Sequence, residues 1–225
     1  MLTLFGNLDS GNVHKVQMIL YARGMAFRRV DVRQDRGQPR DARFLSLNPM
    51  GKVPAVILAD GDVLTDSGAL LYYFAEGTAL WPKDRRRQAE VLRWMFFEQY
   101  SHEPALAVMR YLTRFGGQAP RRDERLAELE PKAVLALDVM QRRLATADWI
   151  AGPAPTIADM ALYPYTRLAP EIGLDLARWP AVARWLARLE AGERFLPVYQ
   201  DAAAEVMAFE AYFTEGDGEG RAPPA

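Results

Sequence analysis

The stretch "GKVPAVILADGDVLTDSGALL", Gly51–Leu71, decides the fold of this chain. Its first part, "VPAVILAD", predicts a strand, and "DGD" then turns the chain into a second strand, "VLTD". The following "SGALLYYFAEG" predicts a helix with Ser67 as its N-cap, because a serine side chain can accept from the first backbone N–H groups. The stretch therefore predicts a ββα unit with an antiparallel strand pair.

The chain before this stretch predicts a complementary βαβ unit. "LTLFG" predicts a strand, and "GNVHKVQMILYARG" predicts a helix that stops at Gly24. "AFRRVDV" then predicts a second strand, and "PRDARFLSLN" predicts a short helix. A crossover helix joins parallel strands, whereas a short hairpin joins antiparallel ones. We therefore predict an α+β first domain, βαβ-ββα, with a mixed four-stranded sheet.

From Asp84 onward the sequence shows helical patterns and no strand signal. "RRRQAEVLRWMFFEQYSHEPALAVMRYLTRF" predicts a long amphipathic helix that Pro104 kinks or splits. In "TIADMALYPYT", Thr156 and Asp159 have the spacing of a capping box. We expect Asp159 to be buried and to fix the start of its helix, which is a folding role rather than a site. The second domain is thus predicted to be all-α.

Composition changes suggest the boundaries between these parts. "EGTALWPKDR" carries Gly77 and Pro82 and is typical of a linker, and "GDGEGRAPPA" is typical of a disordered tail. The predicted segments are a first domain at 1–77, a linker at 78–87, an all-helical domain at 88–210 and a disordered tail at 211–225.

The composition limits the possible functions. The 225 residues are half hydrophobic and carry a formal net charge of −1, which argues against nucleic acid as a partner. The chain has no cysteine and only two histidines, so we expect neither a protein thiol mechanism nor a metal site. No apolar run approaches the roughly 20 residues that span a bilayer, and the N-terminus lacks a signal-peptide pattern. We therefore expect no membrane association and a cytoplasmic location.

The order of elements, together with "SGNVHKV", "NPMGKVPAV", "LTDSGALLYYFAE" and "TIADMALYPY", resembles the cytosolic glutathione transferase family. The resemblance covers nearly the whole chain. It implies a thioredoxin-like first domain that binds glutathione, a helical domain that holds the second substrate, and a homodimer. Glutathione would be the co-substrate of a detoxification reaction, and no metal is implied.

The resemblance also implies particular glutathione ligands. It makes the Val53–Pro54 bond cis and pairs the backbone of Val53 with the cysteinyl backbone of glutathione, although a proline can simply begin a strand. Asp66 and Ser67 would hold the γ-glutamyl group at a helix N-terminus, where N–H groups and the helix dipole favour a carboxylate.

Two basic residues complete the expected glutathione site. Lys52 either reaches the glycyl carboxylate of glutathione or is only solvated. Arg40 lies where the family often has a basic residue that reaches glutathione.

The turn at "DSGNVHK" is the candidate for thiol chemistry. A free thiol has a pKa near roughly 8.5, which a hydrogen bond to sulfur and a positive helix end both lower. Ser10 and Asn12 can each donate such a bond, and either one can instead cap the helix that follows. The turn holds no tyrosine or cysteine, which resembles serine-type, theta-like or bacterial nu-like members. His14, inside the helix, is expected to be structural.

The identity of the second substrate is not encoded in any motif. We expect Tyr111 and Phe115, on the first long helix, to line an electrophile pocket. Three functions stay open from the sequence. They are a glutathione transferase acting on a small apolar electrophile, a glutathione-dependent disulfide reductase that uses two glutathione molecules, and a non-catalytic binding protein of the same fold.

Overall fold

A computed structural model describes residues 1–117 and 120–215 of the chain. The chain divides into two compact units. The first unit joins Met1–Phe74 to the residues from Leu196 onward, and the second unit is Ala75–Phe195.

The first unit contains the βαβ and ββα motifs that the sequence predicts. Its elements up to Ala75 are β1 Leu2–Phe5, α1 Gly11–Ala22, β2 Phe27–Asp31, α2 Ala42–Leu47, β3 Ala55–Ile57, β4 Val63–Thr65 and α3 Ser67–Ala75. Strand β1 pairs in parallel with β2 and antiparallel with β3, and β3 pairs antiparallel with β4. The predicted fold class, with its mixed sheet, is confirmed.

The sheet nevertheless has five strands rather than the predicted four, in the order β4-β3-β1-β2-β5. Strand β5, Glu205–Ala208, pairs in parallel with β2, and helix α9, Phe209–Glu215, follows directly. The prediction that 88–210 is entirely helical is therefore wrong. Strand β5 is only four residues long and three of them are exposed, so its local pattern is weak and the strand depends on pairing with the edge of β2.

The predicted boundary at 210 also differs from the compact units, because residues 196–210 belong with the first unit. Within the predicted disordered tail, residues 211–215 are helical. The rest of that tail, 216–225, lies outside the described residues.

The core of the first unit draws on both ends of the chain. Its buried cluster consists of Phe5, Val30, Val32, Phe44, Ala55 and Phe209. The ring of Tyr212 also meets Phe5 edge-on, with centroids 5.0 Å apart. Because Phe209 is only 2% exposed, the C-terminal helix is part of this core and not an appendage.

The second unit is built from helices, and its described residues contain no strand. Its α-helices are α4 Arg85–Phe97, α5 Glu103–Phe115, α6 Arg122–Leu144, α7 Ile157–Arg167 and α8 Pro180–Glu190. A π-helical turn, Glu98–His102, separates α4 from α5, and Pro104 lies in the first turn of α5. The predicted break at Pro104 is confirmed, since its ring and missing N–H prevent a continuous ladder.

The predicted capping box at the start of α7 is also confirmed. The Asp159 carboxylate is fully buried and accepts from the backbone N–H of Thr156 and of Ile150, each at 2.9 Å. The indole N–H of Trp185 donates to it as well. These bonds satisfy a carboxyl whose pKa is raised by burial, so Asp159 has the folding role expected of it.

No helix in the described part of the chain is long and apolar enough to span a bilayer.

Candidate functional site

Ser10 lies where the loop after β1 enters α1. Its backbone is extended, with φ −85° and ψ 116°, and its Oγ accepts from the backbone N–H of Val13 at 3.3 Å. Ser10 is therefore the N-cap of α1, as the sequence suggested. In this bond the serine is the acceptor, so the cap does not consume the hydroxyl hydrogen.

Asn12, in the first turn of α1, connects this turn to a distant part of the chain. Its Oδ1 accepts from the Oγ of Ser67 at 3.4 Å, across 55 residues of sequence. The contact brings the N-terminus of α1 to the N-terminus of α3. Each helix N-terminus carries a positive dipole end, and two such ends close together favour an anion beside them.

Asp66, and not Ser67, is the N-cap of α3, so the prediction of Ser67 as the cap is wrong. Asp66 Oδ1 accepts from the backbone N–H of Gly68 at 2.8 Å and of Ala69 at 3.1 Å. Its φ of 73° is in the left-handed region, which aspartate tolerates better than most residues. Ser67 is instead the first helical residue, nearly buried, with its hydroxyl directed to Asn12.

The Val53–Pro54 peptide bond is cis, as predicted. Val53 is half-buried and lies just before β3, whereas Pro54 is buried. The chain before it is fixed by Asn48, whose Nδ2 donates to the carbonyl of Lys52 at 2.6 Å.

Gly51 allows the segment that holds Arg40 to approach the backbone next to Lys52. It has a φ of 59°, and a Cβ at this position would lie 2.7 Å from the Pro39 carbonyl oxygen and 2.9 Å from a guanidinium nitrogen of Arg40. Only glycine fits so close an approach. The turn before α2 therefore packs against the residue that precedes Lys52, and both cationic side chains, Arg40 and Lys52, are exposed at this edge.

The structure thus brings most of the predicted site residues into the first unit, around the starts of α1, α3 and β3. Tyr111 and Phe115 instead lie on α5 of the second unit, where their ring centroids are 5.9 Å apart. Both rings are about half exposed.

His14 has a structural role, as the sequence interpretation expected. Its Nε2 donates to the carbonyl of Leu196 at 2.9 Å, and the side chain is buried. Burial lowers the pKa of His14 to about 4, although the bond to Leu196 partly opposes this shift. The ring is therefore neutral at physiological pH.

Sequence reasoning missed two features of this site. The contact of Asn12 with Ser67 depends on how distant segments pack, and no local pattern reports it. The capping role of Asp66 had a signal, since aspartate is as good an N-cap as serine and precedes Ser67 directly.

Comparison with known families identifies the chain. Residues 1–76 match the model of the glutathione S-transferase N-terminal domain, and residues 102–193 match that of the C-terminal domain. The two matches cover well over half of the chain, so this protein belongs to the glutathione S-transferase family.

Two curated proteins that this chain resembles have names other than glutathione S-transferase. One is the disulfide-bond oxidoreductase YfcG of Escherichia coli, 30% identical over 79% of this chain and 85% of its own length. Another is the transcriptional regulator URE2 of Saccharomyces cerevisiae, 26% identical over 81% of this chain and 63% of its own length.

Two solved structures are also similar. A glutathione S-transferase from Xanthobacter autotrophicus superposes with a TM-score of 0.84 at 43% identity, over 88% of this chain and 97% of that one. A glutathione transferase from Burkholderia graminis, with two glutathione molecules bound per subunit, superposes with a TM-score of 0.75 at 28% identity, over 86% and 85%.

Proposed function

We propose that this protein is a glutathione transferase, which binds glutathione at the neighbouring N-termini of α1 and α3 and passes its thiolate to an apolar electrophile. The observation that carries the proposal is the hydrogen bond from Ser67 to Asn12. It joins the expected ligand of the γ-glutamyl group to the expected activator of the thiol, within one small anion-binding region.

In the proposed binding mode, different residues of the site bind the γ-glutamyl, cysteinyl and glycyl parts of glutathione. Asp66 pairs with the α-amino group of glutathione, and the backbone N–H of Ser67, at the positive end of α3, receives the α-carboxylate. The backbone of Val53 pairs with the cysteinyl residue like a short added strand. The exposed cations Lys52 and Arg40 take the glycyl carboxylate.

The proposed chemistry needs only a thiolate and a site that stabilises it. Ser10 and Asn12 donate hydrogen bonds to the sulfur, which favours its charged form, and the proton leaves to solvent. The thiolate then forms a bond to an electrophilic carbon while that carbon's leaving group departs with its electron pair.

Steady-state conjugation of glutathione to a reactive aryl halide tests the proposal. We expect kcat/KM to fall about 10- to 100-fold in Ser10→Ala and in Asn12→Ala, the loss expected from removing one hydrogen bond to a charged group. Thr146→Ala is the control, since its exposed hydroxyl donates to the Arg143 carbonyl in the second unit. If both variants keep the wild-type kcat/KM, Ser10 and Asn12 do not activate the thiol.

A second candidate is a glutathione-dependent disulfide reductase, favoured by the similarity to YfcG and to the structure with two bound glutathione molecules. This chain has no cysteine, so both electrons would come from glutathione. One thiolate would displace one sulfur of the substrate disulfide, and a second would resolve the mixed disulfide to oxidised glutathione. Titration calorimetry separates the two functions. Two glutathione molecules per chain and turnover of a small disulfide favour the reductase, whereas one per chain and conjugation favour the transferase.

A binding protein without turnover is the third candidate, and the similarity to the regulator URE2 favours it. The same calorimetry tests it. If glutathione at millimolar concentration gives no heat of binding, both enzymatic proposals are wrong and the binding protein is the better account.

We also propose a cytoplasmic homodimer. Each unit exposes large aromatic side chains. Tyr72 and Tyr73 on α3 are 48% and 47% exposed, and Phe96 at the end of α4 and Tyr100 in the π-helical turn are 66% and 89% exposed. Such exposed apolar side chains are typical of an interaction surface. A cytoplasmic location fits the use of glutathione as co-substrate, because the cytoplasm keeps thiols reduced.

A further inference from the structure

Helix α2 leads the chain into the proposed glutathione site but is too short to be stable by itself. It has six residues, begins at the Asp41 cap and is followed within a few residues by Lys52 and Val53. Isolated helices shorter than about 12 residues are marginal in water. The position of α2, and with it that of the segment that pairs with glutathione, therefore depends on what packs against the helix.

The C-terminal helix α9 packs against α2 through Arg43. The guanidinium of Arg43 pairs with Glu210 of α9 and with Asp41 of its own helix, each at 2.8 Å. It also lies over the rings of Phe209 and Phe213, 5.0 and 5.2 Å from their centroids. Hydrogen bonding to Arg43 lowers the pKa of Asp41 to about 2, so the Asp41 carboxylate stays charged over the physiological range.

The residues before α9 attach to α1, the helix that Ser10 caps. The Leu196 carbonyl accepts from His14, and the Ala202 N–H donates to Oε1 of Gln17 at 3.1 Å. Asp201 pairs with the buried Arg29 at 2.8 Å. We call residues 196–215 the C-terminal strap. It contacts the helix that begins at Ser10 and the helix that precedes Lys52, and it lies beyond the family match, which ends at residue 193.

We propose that the C-terminal strap positions the glutathione site and that Arg43 is the positioning residue through which it holds α2. This inference rests on the proposed function, since it concerns how glutathione is held. Arg43 acts on the segment that binds the peptide backbone and not on the sulfur. Its loss should therefore weaken the binding of glutathione and leave the chemical step unchanged.

The test compares glutathione affinity, kinetics and hydrogen–deuterium exchange in four variants. In Arg43→Ala we expect Kd and KM for glutathione to rise about fivefold, the effect of losing exposed ion pairs and cation–π contacts. In Glu210→Gln, which loses only the ion pair to α9, we expect a rise of about twofold. We expect kcat to stay within about twofold and exchange to become faster in peptides covering 42–53. Arg43→Lys keeps the charge and should recover at least half of the lost affinity.

Arg188→Ala is the matched control. Arg188 pairs with Asp148 at 2.9 Å and lies over the ring of Trp149, and its side chain is 37% exposed against 38% for Arg43. It belongs to the second unit, so affinity and exchange at 42–53 should match wild type. Unchanged affinity and exchange in both Arg43→Ala and Glu210→Gln would overturn the inference, as would an equal effect of Arg188→Ala. If wild type binds no glutathione, the proposed function is wrong, and exchange at 42–53 still decides whether the strap holds α2.

Discussion

Ser10 combines a folding role with the proposed chemical role because the two use different parts of one hydroxyl. Its oxygen accepts from Val13 and caps α1. Its hydrogen can still be donated to a thiolate at the positive end of the same helix. The sequence could predict both roles, since a serine before a helix is a local signal. It could not predict that Asn12 bonds to Ser67, because that contact depends on tertiary packing.

Ser10→Gly separates these two roles. Glycine at an N-cap costs only a few tenths of a kcal/mol, whereas alanine costs about 1 kcal/mol. We therefore expect Ser10→Gly to keep nearly the wild-type Tm yet to lose as much kcat/KM as Ser10→Ala, while Ser10→Thr keeps most activity. Thermal unfolding and conjugation kinetics of the three variants check this. If Ser10→Gly keeps the wild-type kcat/KM, Ser10 only caps α1 and does not act on the thiol.

His14 predicts how stability depends on pH. Its pKa is about 4 in the folded protein, against an ordinary value of 6.5, so the unfolded chain binds more protons between these values. The free energy of unfolding therefore decreases as the pH falls through this window, by about 2 kcal/mol between pH 7 and pH 5. Urea unfolding of wild type and His14→Gln measures it, since glutamine keeps an N–H donor but does not titrate. Equal losses in the two proteins would contradict a lowered pKa for His14.

At the scale of elements, the start of α3 shows the limit of local reasoning. Asp66 and Ser67 are adjacent and are equally good N-caps, so the sequence alone does not choose between them. The structure assigns the cap to Asp66 because its carboxylate reaches the N–H groups of Gly68 and Ala69. Ser67 is then available to contact Asn12.

Asp66→Asn tests the proposed second role of the cap. Asparagine tolerates a positive φ and keeps an oxygen acceptor for both N–H groups, but it has no charge for the α-amino group of glutathione. We expect Tm to change by less than about 2 °C and KM for glutathione to rise about tenfold. Asp66→Ala should lower Tm and raise KM together. An unchanged KM in Asp66→Asn would mean that Asp66 serves the helix alone.

Across the whole molecule, strong local patterns predicted the first four strands, the break at Pro104 and the capping box at Asp159. The fifth strand was missed because "EVMA" has little pattern of its own, with Val206 half exposed, and forms only against the edge of β2. That Tyr111 and Phe115 line an electrophile pocket stays a prediction, since apolar side chains at helical spacing are equally typical of a core.

The C-terminal strap should matter to the stability of the first unit. Phe209 is buried in the same cluster as Phe5 and Val30, so Phe209→Ala is expected to lower the free energy of unfolding by about 3–5 kcal/mol. Val206→Ala, on the exposed side of β5, should cost much less. Urea unfolding at neutral pH measures both. Equal small losses would mean that the strap adds little to the core.

The central claim, that Ser10 and Asn12 stabilise a glutathione thiolate, is tested most directly by the thiol pKa of bound glutathione. Ultraviolet difference absorbance of the thiolate, followed across pH at saturating glutathione, measures it in wild type, Ser10→Gly and Asn12→Ala. We predict a pKa about two units below the free value of roughly 8.5 in wild type, and a rise of at least about one unit in each variant. A wild-type complex that titrates like free glutathione, or variants that titrate like wild type, would contradict the claim.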